Sequence, residues 1–226
     1  MEVADRSGTE SMTNRAYEDI RADIVDGTLM PGSKLKIDAL RQRYGIGASP
    51  IREALSLLTS TLLVERIDQR GFRVAPISLE AFDQLLWTRC SIEAIALRES
   101  MLRGGQPWQE QVVLANYRLS RLDRESPDAP GMTNPRWEEL HKAFHMTLLS
   151  ACGSTYIINF CSELYDHNVR YRLTSRDKVG PERDVTEEHS AIADAVLDNN
   201  PDLAVTLLEK HYRDTGELLR RSLGEP

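Results

Sequence analysis

The sequence of 226 residues predicts a mainly α protein in two parts. A small unit of three helices and a strand hairpin comes first, and an all-helical bundle of six helices follows. Three observations predict this. Apolar residues recur at helical spacing over residues 14–27, over 38–58 and throughout the chain beyond 78. Two short apolar runs, Leu63 to Ile67 and Phe72 to Ala75, flank the turn Asp68-Gln69-Arg70-Gly71. After residue 78, caps and breakers divide the chain into helices and no strand signal is left over. With 41% hydrophobic and 28% charged residues, both parts can bury a core.

The first thirteen residues, MEVADRSGTESMT, are polar and acidic and lack the apolar segment of a signal peptide. They are expected to form a disordered tail (1–13) on a cytoplasmic protein. No apolar run approaches the roughly 18 residues a membrane span needs, so no membrane partner is expected. Cys90, Cys152 and Cys161 stand at unrelated spacings and read as buried thiols.

Ala16, Ile20, Ile24 and Val25 form the stripe of the first helix, which Gly27 and Pro31-Gly32 end. Ala39, Leu40 and Tyr44 face inward on the second, and Gly45 can take the left-handed conformation that stops it. Ile46 fills the turn. Ser49 reads as the N-cap of the third helix with Pro50 at its first position. Ile51, Leu55 and Leu58 then face inward, while Ser49, Arg52, Glu53 and Ser56 share the opposite face. A short helix with a polar, arginine-bearing face near its start fits the DNA major groove. An ordinary hairpin with a solvated face is the alternative. The flanks favour the first reading, because three helices and a hairpin make a winged helix-turn-helix, here residues 14–75. Its wing would carry Arg70 and Arg73 beside Gly71, where backbone can approach a phosphate or the minor groove.

A net charge of −7 argues against a nucleic-acid partner until it is divided. From Lys34 to Ala75 there are eight Lys or Arg and four Asp or Glu, and the excess acid lies mostly beyond residue 78. A basic module on an acidic body confines phosphate attraction to one part of the chain. Lys36, Arg41 and Arg43 are candidates for phosphate contacts, and a solvated surface charge is an equally good reading of any one of them.

Pro76-Ile77-Ser78 reads as a linker (76–78) to the bundle (79–223). The first bundle helix covers 79–103 and stops at Gly104-Gly105. The second starts near Pro107 and runs to about Glu125, and the loop SPDAPGMT follows. Asn134-Pro135 opens a third that ends at Gly153, and Ser154 caps a fourth to about Ser175. The fifth starts at Asp184 or Thr186 and ends at Asn199. Asn200-Pro201 opens the sixth, to about Leu223.

All five histidines lie in this second part. His141 and His145 are four apart on the third bundle helix, so both rings leave one face. His189 sits near the start of the fifth helix and His211 within the sixth. Imidazole is the commonest neutral nitrogen ligand, and an i, i+4 pair is a bidentate start for a metal. Surface or core histidines are the alternative. Arg89 falls in the stripe Leu85, Ile92, Ala96, where a guanidinium is costly without a partner.

Two resemblances add to this. The stretch LMPGSKLKIDALRQRYGIGASPIREALSLLTSTLLVERIDQRGFRV resembles the DNA-binding domain of the GntR family of bacterial transcription regulators. The likeness lies in Pro31-Gly32 with Leu35, in Ser49 to Leu55, and in Arg70-Gly71. It implies that Arg52 meets bases or phosphates in the major groove and that Gly71 sits in the wing at the minor groove. Many members carry arginine where this chain has Ala48, so the mode of binding carries over and the operator sequence does not. The segments WEELHKAFHMTLLSACG, Glu188-His189 with Ile192, and Ala204 to His211 resemble the ligand domain (FCD) of the FadR branch. Six helices fit its VanR-type variant. That resemblance implies a divalent metal held by one Asp and three His. His145, His189 and His211 match the histidines, and His141 stands where the Asp usually is. Nitrogen-only ligation favours zinc, nickel or copper over magnesium or calcium, with zinc the first expectation. It also leaves the metal's charge uncompensated, which attracts an anion. The branch has an arginine at the Arg89 position, where it can meet a carboxylate effector. Arg172 is a second candidate, and salt bridges to Glu93 or Glu163 are the alternative for each.

The expected function is a homodimeric transcription regulator of a metabolic operon, a repressor, controlled by a small carboxylate. A symmetric dimer would read an inverted repeat in double-stranded DNA. A metal-dependent hydrolase is the alternative from another class. Zinc peptidases with two helical histidines place Glu after the first, where this chain has Lys142, so no catalytic residue is expected. A regulator that senses the metal itself is the third reading.

Overall fold

The computed structural model describes residues 11–174 and 183–224. The chain forms two compact units that divide between Ile77 and Ser78.

The first unit runs α1 (Met12–Val25), β1 (Lys34–Leu35), α2 (Ile37–Tyr44), α3 (Ala48–Ser60), β2 (Val64–Ile67) and β3 (Gly71–Val74). α1 takes in Met12 and Thr13, which the sequence assigned to the tail. Its cap is Ser11, whose Oγ accepts the Asn14 N–H at 3.1 Å. The rest of the expected tail, residues 1–10, lies outside the described residues. Gly45 stops α2 at φ +66, and its N–H reaches the Arg41 carbonyl at 3.0 Å. The cap of α3 corrects an expectation. Ser49 is inside the first turn, the N-cap is Gly47, and the Ser49 hydroxyl donates to Glu53 Oε1 at 3.2 Å. Ile46 turns into the core immediately after Gly45, so the next helix starts two residues earlier than expected. Proline lacks an N–H that the first helical turn does not use, so Ser-Pro fits within that turn as well as at its edge.

β3 pairs antiparallel with both neighbours in the order β1-β3-β2. β1 is only two residues long and leaves no alternation in the sequence. The wing turn closes through the Arg70 N–H to the Ile67 carbonyl at 3.0 Å, and Gly71 takes φ +88. Ile20, Ile24, Ile51, Leu55, Leu58 and Val74 fill one core beneath α3 and the sheet. Leu55 is fully buried there, so Leu55→Ala is expected to destabilise this unit by about 2–5 kcal/mol. Urea unfolding checks this, and an unchanged midpoint would contradict the packing.

The second unit runs α4 (Leu79–Arg103), α5 (Gly105–Ser120), β4 (Glu125–Ser126), β5 (Ala129–Thr133), α6 (Pro135–Leu149), α7 (Thr155–Thr174), α8 (Val185–Leu197) and α9 (Pro201–Gly224). Its six helices form a bundle in which α4 packs on α7 and α9, α5 on α6, and α8 on α9. Ser78 caps α4 by accepting the Ala81 N–H at 3.2 Å, so it opens the helix and does not belong to a linker. Two expectations fail between α5 and α6. α5 starts at Gly105 and ends at Ser120, well short of Glu125. The antiparallel hairpin β4–β5 follows, although no strand was expected. Within β5, opposite the register shift between Glu125 and Ser126, Gly131 takes φ +82 and its N–H meets the Glu125 carboxylate. Strands this short, with Pro127 between them and Pro130 and Gly131 inside the second, carry no period for a sequence to show.

Asn134, Ser154, Asp184 and Asn200 each cap a helix through a side-chain oxygen. α6 ends at Leu149, before the turn that carries Cys152 and Gly153. The end of α7 expected at Ser175 falls outside the described residues. The three cysteines are buried and unpaired. Among the described residues no helix is long and apolar enough to cross a membrane.

Candidate metal centre and nucleic-acid interface

α6 delivers His141 and His145 from adjacent turns, α8 delivers His189 and α9 delivers His211. All four rings are buried, and one ligand nitrogen of each lies within 4.8 Å of the other three. His141 Nε2 is 3.1 Å from His145 Nε2 and 3.2 Å from His189 Nε2. Phe144 stands edge-on against His145 and His189, and Trp137 stacks on His141 at 4.4 Å. Burial drives all four imidazole pKa values down, with neighbouring imidazoles and arginines adding to the effect. For His211 the hydrogen bond to Glu188 opposes part of this. The rings are therefore neutral, which is the state that binds a metal. Four neutral nitrogen donors converging in an enclosed site suit a borderline divalent ion such as zinc.

Around the rings lies a second layer. His141 Nδ1 is 2.6 Å from Tyr165 Oη, His145 Nδ1 is 3.0 Å from Tyr212 Oη, and His211 Nδ1 is 2.7 Å from Glu188 Oε2. Tyr165 donates to Glu138 at 2.6 Å, and Tyr212 donates to Glu93. Each carboxylate meets an arginine: Glu138 with Arg172 at 2.6 Å, Glu93 with Arg89 at 2.8 Å, and Glu188 with Arg183 at 2.7 Å. Burial works against the Glu188 charge, yet hydrogen bonds from His211 and Arg183 hold its pKa down at about 2.

Arg89 thus forms the buried Glu93 pair that the sequence offered as its alternative reading. Arg172 pairs with Glu138 and not with Glu163, because a residue on α6 stands closer to it than any on its own helix face. Both arginines still line a cavity beside His141, His145 and His211. Its volume is about 40 Å³, room for an ion and one or two small ligands. Arg124, Arg183 and Asn168 also line it, and sequence reasoning missed all three. Arg124 and Arg183 sit at loop edges, where no periodicity points a side chain inward.

In the first unit, Ser49, Arg52, Glu53 and Ser56 share the exposed face of α3. Glu53 is tied to Thr13 Oγ1 at 2.8 Å, while the Arg52 guanidinium has no ion-pair partner among the described residues. Pro50 is half-buried in the first turn. Arg43 is committed to Asp23 at 2.6 Å, Arg41 to Asp38 at 3.3 Å and Arg73 to Glu65 at 2.6 Å. Lys36 and Arg70 are exposed, and Gly71 stands beside Arg70 at the wing tip. Lys34 and Arg66, not singled out from the sequence, line a wing groove with Arg70 and Arg73.

Two family models match this chain: bacterial regulatory proteins of the gntR family over residues 12–74, and the FCD domain over residues 84–214. The chain belongs to the GntR family. Its GntR-family relatives include BphR of Paraburkholderia xenovorans (strain LB400), described as an uncharacterized HTH-type transcriptional regulator. That protein is 37% identical over 95% of this chain and 88% of its own length. The transcriptional repressor GlaR of Escherichia coli (strain K12) is 32% identical, over 86% of this chain and 90% of its own. Among solved structures, E. coli McbR/YncC shares the fold with a TM-score of 0.74 at 15% identity, covering 93% of this chain and 98% of that one. A GntR regulator from Rhodococcus sp. RHA1 does so at 0.70 and 21%, covering 95% and 98%. The family and these relatives are transcriptional regulators and not enzymes, so the hydrolase alternative falls.

Proposed function

We propose that this GntR-family DNA-binding regulator is a cytoplasmic, homodimeric repressor whose operator affinity is set by a small carboxylate bound beside a metal. The observation that carries the reading is the convergence of four imidazoles, three of which line one cavity together with Arg89 and Arg172. His141, His145, His189 and His211 would hold the ion, zinc most readily, with nickel or copper also suited to nitrogen ligands. Bound there, the metal would supply positive charge with no anionic ligand to balance it. A carboxylate would balance it, and the guanidinium groups of Arg89 and Arg172, through donors beyond those that meet Glu93 and Glu138, would orient it. Repression is supported by relatives that carry that name, GlaR and RspR of E. coli. Residues 14–75 would read DNA and residues 79–223 would hold the ligand. On an inverted repeat, Ser49, Pro50 and Arg52 would enter the major groove, Arg70 and Gly71 the minor groove. Lys36, Arg41, Arg43 and Arg73 would flank the phosphates. Release follows only if the ligand favours one arrangement of the dimer over another.

Operator binding by the untagged protein tests this, against mono- and dicarboxylates, with and without a zinc chelator and with metal content measured in parallel. One carboxylate is expected to weaken operator binding by about tenfold or more in the metal-loaded protein only. No response to any carboxylate would overturn the effector reading. A second reading has its own support, since four histidines complete a tetrahedral set of the kind found in closed sites. Operator affinity that follows zinc alone would favour a sensor of the metal itself.

A further inference from the structure

We propose that Tyr165 and Tyr212 are positioning residues of the metal centre, each holding one histidine in the tautomer that turns its Nε2 lone pair inward. The proposal rests on the metal-binding reading above. A phenol has one proton to donate. Tyr165 gives it to Glu138 Oε1 at 2.6 Å, and the same oxygen accepts from Arg172 Nη2, also at 2.6 Å. The phenol oxygen then faces His141 Nδ1 at 2.6 Å as an acceptor, so Nδ1 carries the ring proton.

The second relay repeats the logic from other helices. Tyr212 on α9 donates to Glu93 on α4, which Arg89 Nε meets at 2.8 Å. Its oxygen accepts from His145 Nδ1 at 3.0 Å. His211 reaches the same tautomer without a phenol, because Glu188, held ionised by Arg183, can only accept from its Nδ1. Three of the four rings are thus protonated on the outside.

A consequence follows at the centre. His141 and His145 bring their Nε2 atoms to 3.1 Å, and neither has a proton there to share. Two lone pairs at that distance repel unless a cation lies between them. The relays therefore hold the donors in an arrangement that favours a cation. With phenylalanine at either position the ring packing stays and the acceptor goes. The histidine is then free to protonate Nε2, a state a metal must displace before it binds.

The experiment uses the full-length parent, Tyr165→Phe and Tyr212→Phe. Zinc dissociation constants come from competition with a chromophoric chelator. The visible absorption of the cobalt(II) forms, the imidazole 15N shifts of the metal-free forms and their melting temperatures are measured alongside. Each variant is expected to bind zinc about 10–100-fold more weakly, with an altered cobalt spectrum. The metal-free parent should show His141 and His145 protonated at Nδ1, and each variant should move its own ring toward Nε2–H. A variant that melts early but binds zinc like the parent would overturn the proposal, as would Nε2–H rings in the parent. If a variant fails to fold, the 15N pattern of the parent decides. If the parent binds neither zinc nor cobalt, the metal reading fails, while the parent's ring tautomers still report on the phenols.

Discussion

His145→Ala is expected to abolish tight metal binding and, with it, any ligand control of operator affinity. His145 is the most deeply buried of the four rings, 1% exposed, and it touches each of the others. It also ties the ligands to α4, through Tyr212 and Glu93. Removing a ligand should cost more than the roughly 10–100-fold typical of losing an outer-shell partner. The readout is thermal unfolding with and without zinc. A metal that binds only the native state, at about one hundred times its Kd, adds roughly 2.7 kcal/mol of stability. The parent should gain this and His145→Ala should not, while the two metal-free proteins both unfold cooperatively. A zinc-induced rise in the variant equal to the parent's would remove His145 from the site.

That prediction could be framed from the sequence because its signal is local. His141 and His145 are one helical turn apart, and a period of 3.6 places both rings on one face whatever the bundle does. The partners of these rings had no such signal. Tyr165, Glu138 and Arg172 come together from α6 and α7, and Tyr212 meets Glu93 across α9 and α4. Nothing in the spacing of residues on separate helices specifies which will touch. Arg89 shows the same limit. A charge in its apolar stripe announced that a partner was needed, but not whether the partner was a ligand or Glu93. The helix boundaries were legible where one side chain makes the cap, as at Asn134, Asp184 and Asn200. They were not where tertiary packing decides. Ile46 sets the start of α3, and the β4–β5 hairpin ends α5 early, and both effects act through contacts that the local pattern does not encode.

Arg52→Ala is expected to weaken specific operator binding by about 1–3 kcal/mol if its guanidinium reads a base edge in each half-site. α3 buries Ile51, Ala54, Leu55 and Leu58, and this packing orients the opposite face as a rigid surface. On that face the Glu53 carboxylate is occupied by Thr13 and Ser49, so it braces α3 against the start of α1. Arg52 has no such internal role, and its removal should leave the fold intact. The arginines committed to Asp23 and Glu65 behave differently. Arg43→Ala would remove one of the two ties from α2 to Asp23 of α1, leaving Tyr44, and Arg73→Ala would break a cross-strand pair in the wing. Each confounds a loss of phosphate contact with a change in local structure. Arg52 and Arg70 therefore separate the two modes of contact most cleanly. Arg52→Ala should reduce discrimination between operator and random DNA. Arg70→Ala should weaken both about equally and lower the salt dependence of binding if it meets a phosphate. Titrations of operator and random duplexes at several salt concentrations measure both. An Arg52→Ala protein that binds the operator as tightly and as selectively as the parent would mean that α3 is not the helix that reads DNA.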